Sequence, residues 1–243
     1  MTAYAGLGLT IAKETPDWGR LPESVESRVS RSVYLAQAAS RSWLRLVELD
    51  DAPTVARFSH TGWFSLEVTT CDVRRLAGLI DTLDGFERLS GPAPLDVDDG
   101  IVAMQVIGPA GEMYYFSEIA RPLPPFELPV GRSLVDSLFI AVQTTRDRAA
   151  SQAFWEQVAR SNGTIFDTRI GVINRGLGLD YDHRLPVAVV QLAGQTLIEI
   201  DEVPVGKPPP EHPTCGIAMI SLHGEGPARV VRGPAGEWVE CRN

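Results

Sequence analysis

The sequence is poor in lysine, and it lacks any cluster of positive charge. Its two lysines are Lys13 and Lys207, and 22 Lys+Arg against 31 Asp+Glu give a formal net charge of -9 and a pI of about 5.0. Nucleic acids and anionic membranes both bind clustered Lys and Arg, so this balance argues against either as a main partner. We interpret the excess of Arg over Lys as genome composition bias.

Cysteines and long apolar runs are also scarce. The cysteines are Cys71, Cys215 and Cys241, and none forms a CxxC or zinc-ribbon spacing. We therefore expect inert, unpaired thiols in a reducing cytoplasm. No apolar run approaches the roughly 20 residues of a membrane helix. The first residues also lack the basic start and apolar core of a signal peptide.

Local motifs of several enzyme classes are absent as well. The sequence contains no Ser-His-Asp motif, no P-loop and no dinucleotide fingerprint. What it does contain is an ordinary globular composition over 243 residues, 44% of them hydrophobic, which is enough for one large domain or two small ones.

Residues 61–120 have the pattern of a strand, a helix and further strands. Asp72 is a typical N-cap, and the apolar residues after it recur at helical spacing. A proline-containing loop separates the helix from the later strands. The predicted elements are a strand at Trp63–Val68, a helix from Val73 to about Leu83, and strands at Ile101–Ile107 and Met113–Ile119.

The same order returns after a proline-rich stretch, residues 121–132, which we interpret as a linker. A strand and a helix are again followed by extended segments. These are Leu138–Val142, the helix Arg146–Arg160, an extended stretch Ile165–Ile173, and strands Val187–Leu192 and Leu197–Ile200.

Two short repeats indicate a duplicated pair of units. Gly-Pro-Ala-Gly-Glu occurs at residues 108–112 and again at 233–237, each time before a short strand-like run. In addition, residues 46–53 resemble residues 197–204, with Glu, Asp and Pro in register. The repeats divide the chain into four units, 1–60, 61–120, 133–204 and 212–243.

This repeated strand-helix-strand-strand-strand unit resembles the vicinal oxygen chelate superfamily, which includes glyoxalase I, extradiol dioxygenases and bleomycin-resistance proteins. Leu66-Glu67-Val68 and Ile140-Ala141-Val142 resemble its first strands, and the repeats above resemble its last strands. The resemblance implies an α+β fold with paired βαβββ units forming two concave mixed sheets. Residues 1–120 would form an N-terminal pair with an incomplete first unit, and residues 133–243 a C-terminal pair with an abbreviated last unit.

The resemblance also implies where a divalent metal would bind, because the family places a His or Gln in the first strand and a Glu in the last. Here the first-strand positions hold Trp63, Ser137 and Thr214, none of them a good ligand. The last-strand positions hold Glu48, Tyr115, Glu199 and Glu240. His60 and His212 precede first strands, slightly out of register, and are the metal-ligand candidates, with Fe, Mn or Zn as the metal if one is bound.

Each acid in these strands interrupts an apolar run. By alternation it is either an outward charge or an inward site carboxylate, and an inward one needs a metal, an Arg or a raised pKa. The candidate catalytic residues are Glu48, Glu199, Glu240 and Tyr115. The candidate substrate-binding residues are Trp63, Ser137, Tyr114, Trp238 and His183.

We therefore predict a small-molecule enzyme similar to the glyoxalases and extradiol dioxygenases, acting on an apolar or aromatic oxygenated metabolite. It would use either a divalent metal or a carboxylate general base. Two alternatives stay open: a metal-free protein that sequesters a small molecule, and a dimeric scaffold whose short end units are completed by a partner chain. We expect a small-molecule substrate and a homodimer, with neither nucleic acid nor membrane as partner.

Overall fold

A computed structural model describes residues 2–12, 19–36, 43–50, 52–54, 56, 58–96, 98–204, 206–211, 213–223 and 227–242. The helices in these ranges are α1 (Thr2–Gly6), α2 (Glu23–Glu26), α3 (Val73–Ile80), α4 (Arg148–Ala159) and α5 (Gly171–Leu177). The strands are β1 (Thr10–Ile11), β2 (Val29–Ala36), β3 (Trp43–Leu49), β4 (Gly62–Thr69), β5 (Glu87–Pro94), β6 (Ile101–Ile107), β7 (Met113–Ile119), β8 (Leu138–Thr145), β9 (Thr164–Arg169), β10 (Arg184–Gln191), β11 (Leu197–Glu202), β12 (Met219–Leu222), β13 (Ala228–Arg232) and β14 (Trp238–Arg242).

An eight-stranded mixed sheet dominates the fold, with the strand order β5-β6-β7-β4-β8-β11-β10-β9. β4 is parallel to β7 and β8 is parallel to β11, whereas β4 and β8 run antiparallel to each other at the centre. The sheet therefore continues from the second predicted unit into the third. The predicted division of the chain at residues 121–132 stays a prediction.

Helices α3 and α4 cover one face of this sheet. The side chain of Asp72 caps α3 by accepting from the Arg75 N–H at 2.9 Å, and Asp147 caps α4 in the same way through Ala150. Leu76 and Ile80 of α3 and Trp155 of α4 are fully buried against the sheet. This is the main core, and it leaves the opposite face of the sheet for other segments.

The opposite face is concave, because the sheet curls until its two edges meet. Arg169 at the end of β9 forms an ion pair with Asp96, which follows β5 at the other edge. Two apolar clusters and the helix α5 lie on this face.

The end units form two three-stranded sheets, β1-β2-β3 and β12-β14-β13. They contact each other where the Gly19 N–H donates to the carboxylate of Glu240. The C-terminal sheet also contacts β4, because the Trp63 indole N–H donates to the Trp238 carbonyl at 2.8 Å.

Most predicted elements are present, but three expectations were wrong. The stretch Ile165–Ile173 is not extended throughout, because α5 begins at Gly171. β5 forms in a segment that we interpreted as a proline-containing loop. We expected two concave sheets, and the described residues form one eight-stranded sheet and two small ones. The mixed α/β, strand-dominated architecture is as predicted. In the described part of the chain, no helix is long and apolar enough to span a membrane.

Candidate active site

Acidic side chains from two strands converge on the concave face. Glu67 lies on β4, and Glu199 and Asp201 lie on β11, with only β8 between the two strands. Strands two positions apart are separated by roughly 10 Å, a gap that glutamate side chains from both sides can narrow. We call Glu67, Glu199 and Asp201 the acid cluster.

The strand period explains why the acids face this way. On β11, Ile198 and Ile200 point into the helix-covered core, so Glu199 and Asp201 point to the concave face. Glu67 alternates in the same way with Leu66 and Val68. Because the apolar neighbours of each acid face the core, the acid side chain between them faces the concave side of the sheet.

Tyr115 and Ser117 on β7 complete the polar surface. Tyr115 is paired in register with Glu67, and the Ser117 hydroxyl donates to Glu67 Oε2 at 3.4 Å. Asp201 Oδ1 and the Ser65 hydroxyl are buried and have no hydrogen-bond partner in the described part of the chain. Unpaired buried polar atoms of this kind lower the stability of the fold, and their presence indicates that this surface has a role other than stability.

Burial is deep but incomplete. Glu67 and Tyr115 are each 8% exposed and Asp201 is 1% exposed, whereas Glu199 is only half-buried. Among the described residues, no basic side chain forms an ion pair with any member of the acid cluster. Glu199 is therefore the acid through which solvent or a ligand reaches the cluster.

This environment raises the pKa values of all three acids in the cluster and of Tyr115. Burial raises the pKa of Glu67 and that of Asp201 well above their usual ranges, and the nearby charge of Glu199 raises both further. Burial raises the pKa of Glu199 to about 7. The pKa of Tyr115 also lies well above its usual value, chiefly because of burial. At neutral pH, Glu199 can therefore accept or give a proton, whereas the raised pKa values of Glu67, Asp201 and Tyr115 favour their protonated, hydrogen-bond-donating forms.

Apolar residues enclose the acid cluster on both sides. One cluster contains Ile101, Ile140 and Leu197, and the proline-rich segment covers it with Leu123, Phe126 and Leu128. The other contains Ile107, Met113, Tyr115, Val172, Ile173, Leu185 and Val203, and includes the buried side of α5. The acids thus lie in a polar strip between two apolar surfaces.

One arginine connects the two edges of the eight-stranded sheet. The Arg169 guanidinium pairs with Asp96 and with Asp182, and it lies over the Tyr181 ring at 4.5 Å from the centroid. We call this contact the edge latch. It joins the first and last strands of the eight-stranded sheet.

Two of the predicted catalytic residues, Glu199 and Tyr115, lie together in this site. Glu48 is exposed on β3 in the N-terminal sheet. Glu240 on β14 is 1% exposed; one carboxylate oxygen accepts from Gly19 and the other has no partner in the described residues. The structure therefore places the predicted acids on three different sheets.

The predicted substrate-binding residues are also dispersed. Tyr114 points to the helix-covered core, where its ring stacks on Phe116. His183 is exposed in the turn before β10. Ser137 lies at the β4–β8 junction, where its N–H donates to the Thr69 hydroxyl.

Three further predicted residues, His60, Trp63 and Trp238, line a separate cavity of about 140 Å³ beside the C-terminal sheet. His60 Nδ1 lies 2.8 Å from the Ser59 hydroxyl. His212 lies outside the described residues.

The sequence-based list omitted Glu67, Asp201 and Ser117. A usable signal was present, since Glu67 interrupts an apolar strand as Glu199 does, and Asp201 follows Glu199 at the strand period. The missing information was which strands pair across the two units.

The described residues do not fit a divalent metal. No group of three or more His, Cys, Asp or Glu side chains in these ranges is arranged to hold one. The acid cluster contains carboxyl groups only, and the raised pKa values of Glu67 and Asp201 favour the protonated forms, whereas a metal ligand must be deprotonated. We therefore derive no chemical step through a metal.

Solved structures share this fold. A valine-to-glutamate mutant of glyoxalase I from Zea mays is 15% identical, with a TM-score of 0.61 over 98% of this chain and 85% of that chain. A glutamate-to-glutamine mutant of the same maize enzyme is 14% identical, with a TM-score of 0.60 over 98% of this chain and 86% of that one. Another structure of the maize enzyme gives 0.53 at 16% identity, over 82% and 61% of the two chains.

At this level of identity the similarity establishes a glyoxalase-like fold and not the reaction. No protein-family model matches the chain, and no curated protein sequence matches it either. The function must therefore be argued from the acid cluster itself.

Proposed function

We propose that this chain is a small-molecule enzyme that moves a proton at a carbon beside a carbonyl, with Glu199 as a general base. The supporting observation is a set of buried carboxyl groups on an apolar concave face without a basic partner in the described residues. A carboxyl group with a pKa near 7 is close to the optimum for a base at neutral pH.

Glu199 would remove a proton from the substrate carbon, and the electron pair would pass to the carbonyl oxygen. Protonated Asp201, protonated Glu67 or the Tyr115 phenol would then donate a hydrogen bond to the developing oxyanion. For an α-hydroxy ketone, the hydroxyl proton would then pass to the former carbonyl oxygen. Return of the carbon proton from Glu199 to the former carbonyl carbon would complete an isomerisation, with no atom gained or lost.

The apolar surfaces on either side favour an apolar or aromatic oxygenated substrate. They exclude water, which strengthens each hydrogen bond to the oxyanion, and they keep the acid cluster from ionising fully. The same surfaces would suit a binding protein, so the experiment must separate binding from proton transfer.

The test is hydrogen exchange at the substrate carbon. A panel of apolar and aromatic α-hydroxy ketones and unsaturated ketones is incubated with the protein in D₂O, and loss of the α-proton signal is followed by ¹H NMR. We expect catalysed exchange for at least one compound, slowed about 100-fold or more by Glu199→Gln.

Glu48→Gln makes the same chemical change at an exposed acid and should leave the exchange rate unaltered. Equal exchange in wild type and Glu199→Gln would contradict the proposal. Saturable binding of a panel compound without any exchange would instead favour the sequestering protein.

A further inference from the structure

The two Gly-Pro-Ala-Gly-Glu turns are alike in three dimensions. In each, the first glycine N–H donates to the glutamate carbonyl at 2.8 Å, and the second glycine N–H donates to the first glycine carbonyl at 2.9 Å. Each glutamate side chain folds back over its own turn, so that a Cβ atom added to Gly108 or Gly233 would overlap the carboxylate of Glu112 or Glu237.

The two carboxylates differ in their partners. Glu112 accepts from the Ala110 N–H at 2.8 Å and from the Tyr4 hydroxyl. The Ala235 N–H approaches Glu237 in the corresponding way. Neither oxygen of Glu237, however, accepts a hydrogen bond of normal geometry from a described residue, although Glu237 is only 2% exposed. Among the described residues, the second turn therefore has no counterpart of the Tyr4 hydroxyl.

Glu237 lines the cavity of about 140 Å³ between the two turns. Cavities of this size are known to hold one benzene ring. The walls include Phe58, Phe64, Trp63 and Trp238, and the Trp238 indole N–H is buried without a partner in the described part of the chain. The cavity thus has aromatic walls, and two of its lining residues, Glu237 and Trp238, carry an acceptor and a donor that are unsatisfied among the described residues.

We propose that this cavity binds a small single-ring phenol whose hydroxyl group donates to Glu237, as the Tyr4 phenol donates to Glu112. A phenol oxygen also accepts hydrogen bonds, which suits a cavity lined by Trp238, whose indole N–H is unpaired among the described residues. None of the described lining residues belongs to the acid cluster, so this site goes beyond the proposed function and stands independently of it.

Calorimetric titration of the full-length protein at pH 8 with phenol, and separately with toluene, tests the proposal. We expect saturable phenol binding, with toluene binding at least about fivefold more weakly because it lacks the donor. Glu237→Gln should weaken phenol binding by about fivefold or more and remove the preference over toluene, since hydrogen bonds to a charged acceptor are the stronger kind.

A carboxylate away from the cavity supplies the matched control. Glu48→Gln makes the same chemical change at an exposed acid that does not line the cavity, so phenol affinity should stay unchanged. Glu199→Gln should also leave it unchanged, which separates this site from the acid cluster. Ala218→Phe, which fills the cavity and keeps Glu237, should abolish binding.

Absence of saturable phenol binding to wild type would overturn the proposal, as would equal affinity for phenol and toluene. An equal loss of phenol affinity in Glu199→Gln would assign the ligand to the concave face instead. If Glu237→Gln does not fold, the comparison of phenol with toluene and the Ala218→Phe variant still decide the outcome.

Discussion

The environment of a glutamate within an apolar strand depends on which surface of the protein the strand covers. Glu48 on the N-terminal sheet is exposed, whereas Glu199 faces an apolar concavity and has a pKa of about 7. Both residues lie in the similar strings Leu-Val-Glu-Leu and Leu-Ile-Glu-Ile. The same local pattern therefore gives a solvated charge in one unit and a candidate base in another.

The first glycine of each repeated turn leaves the space that the folded-back glutamate side chain occupies. Gly108→Ala and Gly233→Ala place a Cβ atom where the folded-back glutamate carboxylate lies. We expect each to lower the free energy of unfolding by about 1–3 kcal/mol, measured by urea titration.

Gly78→Ala is the matched control, because a Cβ at this position in α3 meets no atom within 4 Å. It should be neutral or stabilising by about 0.5–1 kcal/mol. Adding Glu112→Ala to Gly108→Ala should recover part of the loss, and a purely additive double variant would contradict the overlap.

At the scale of elements, the sequence predicted those with strong local signals. The N-cap Asp72 and the helical spacing after it gave α3, and the largely apolar runs on either side of the Gly-Pro turn gave β6 and β7 with the observed bounds. β5 escaped prediction because it contains Pro92 and Pro94, and prolines of this kind are tolerated on an edge strand, which β5 is.

The candidate site was only partly predictable. Glu199 and Tyr115 follow from their places in repeated last strands, but Glu67 joins them only because β4 pairs with β8. That pairing links segments on either side of the proline-rich stretch, and no local pattern encodes it. Helix α5 was missed because Gly171 and Gly176 obscure its short apolar pattern.

The edge latch should control how firmly the edge strands are held. The Arg169 and Asp96 side chains are 26% and 34% exposed, so solvent screens the ion pair and Asp96→Asn should change global stability little. We expect faster amide exchange in β9, measured by hydrogen–deuterium exchange, because this edge then opens more often.

Asp99→Asn is the control for that experiment, since Asp99 lies near Asp96 in the sequence but pairs with Arg121 instead. It should leave β9 protection unchanged. Equal protection of β9 in the two variants would show that the ion pair does not hold the edge.

At the scale of the whole molecule, the eight-stranded sheet joins the two halves of the chain around one acidic surface. The folded protein retains protons on Glu199 and Glu237 up to about pH 7, whereas an ordinary glutamate has a pKa of 4.5. Their contribution to stability is fully present below about pH 4.5 and is lost as the pH rises through 7.

The free energy of unfolding should therefore be larger at pH 5 than at pH 8, by on the order of 3 kcal/mol for each of these two groups. Glu67 and Asp201, whose pKa values are also raised, act in the same direction. Urea titrations at the two pH values measure the difference. Glu199→Gln should reduce it, and Glu48→Gln should not.

The most direct measurement of the central claim is a ¹³C NMR titration of the carboxyl groups of glutamate-labelled protein. Two resonances should titrate near pH 7, one of which disappears in Glu199→Gln and the other in Glu237→Gln. If the resonance that disappears in Glu199→Gln titrates below pH 5 in the wild-type protein, Glu199 is an ordinary acid. The concave face then holds no glutamate base with a pKa near 7.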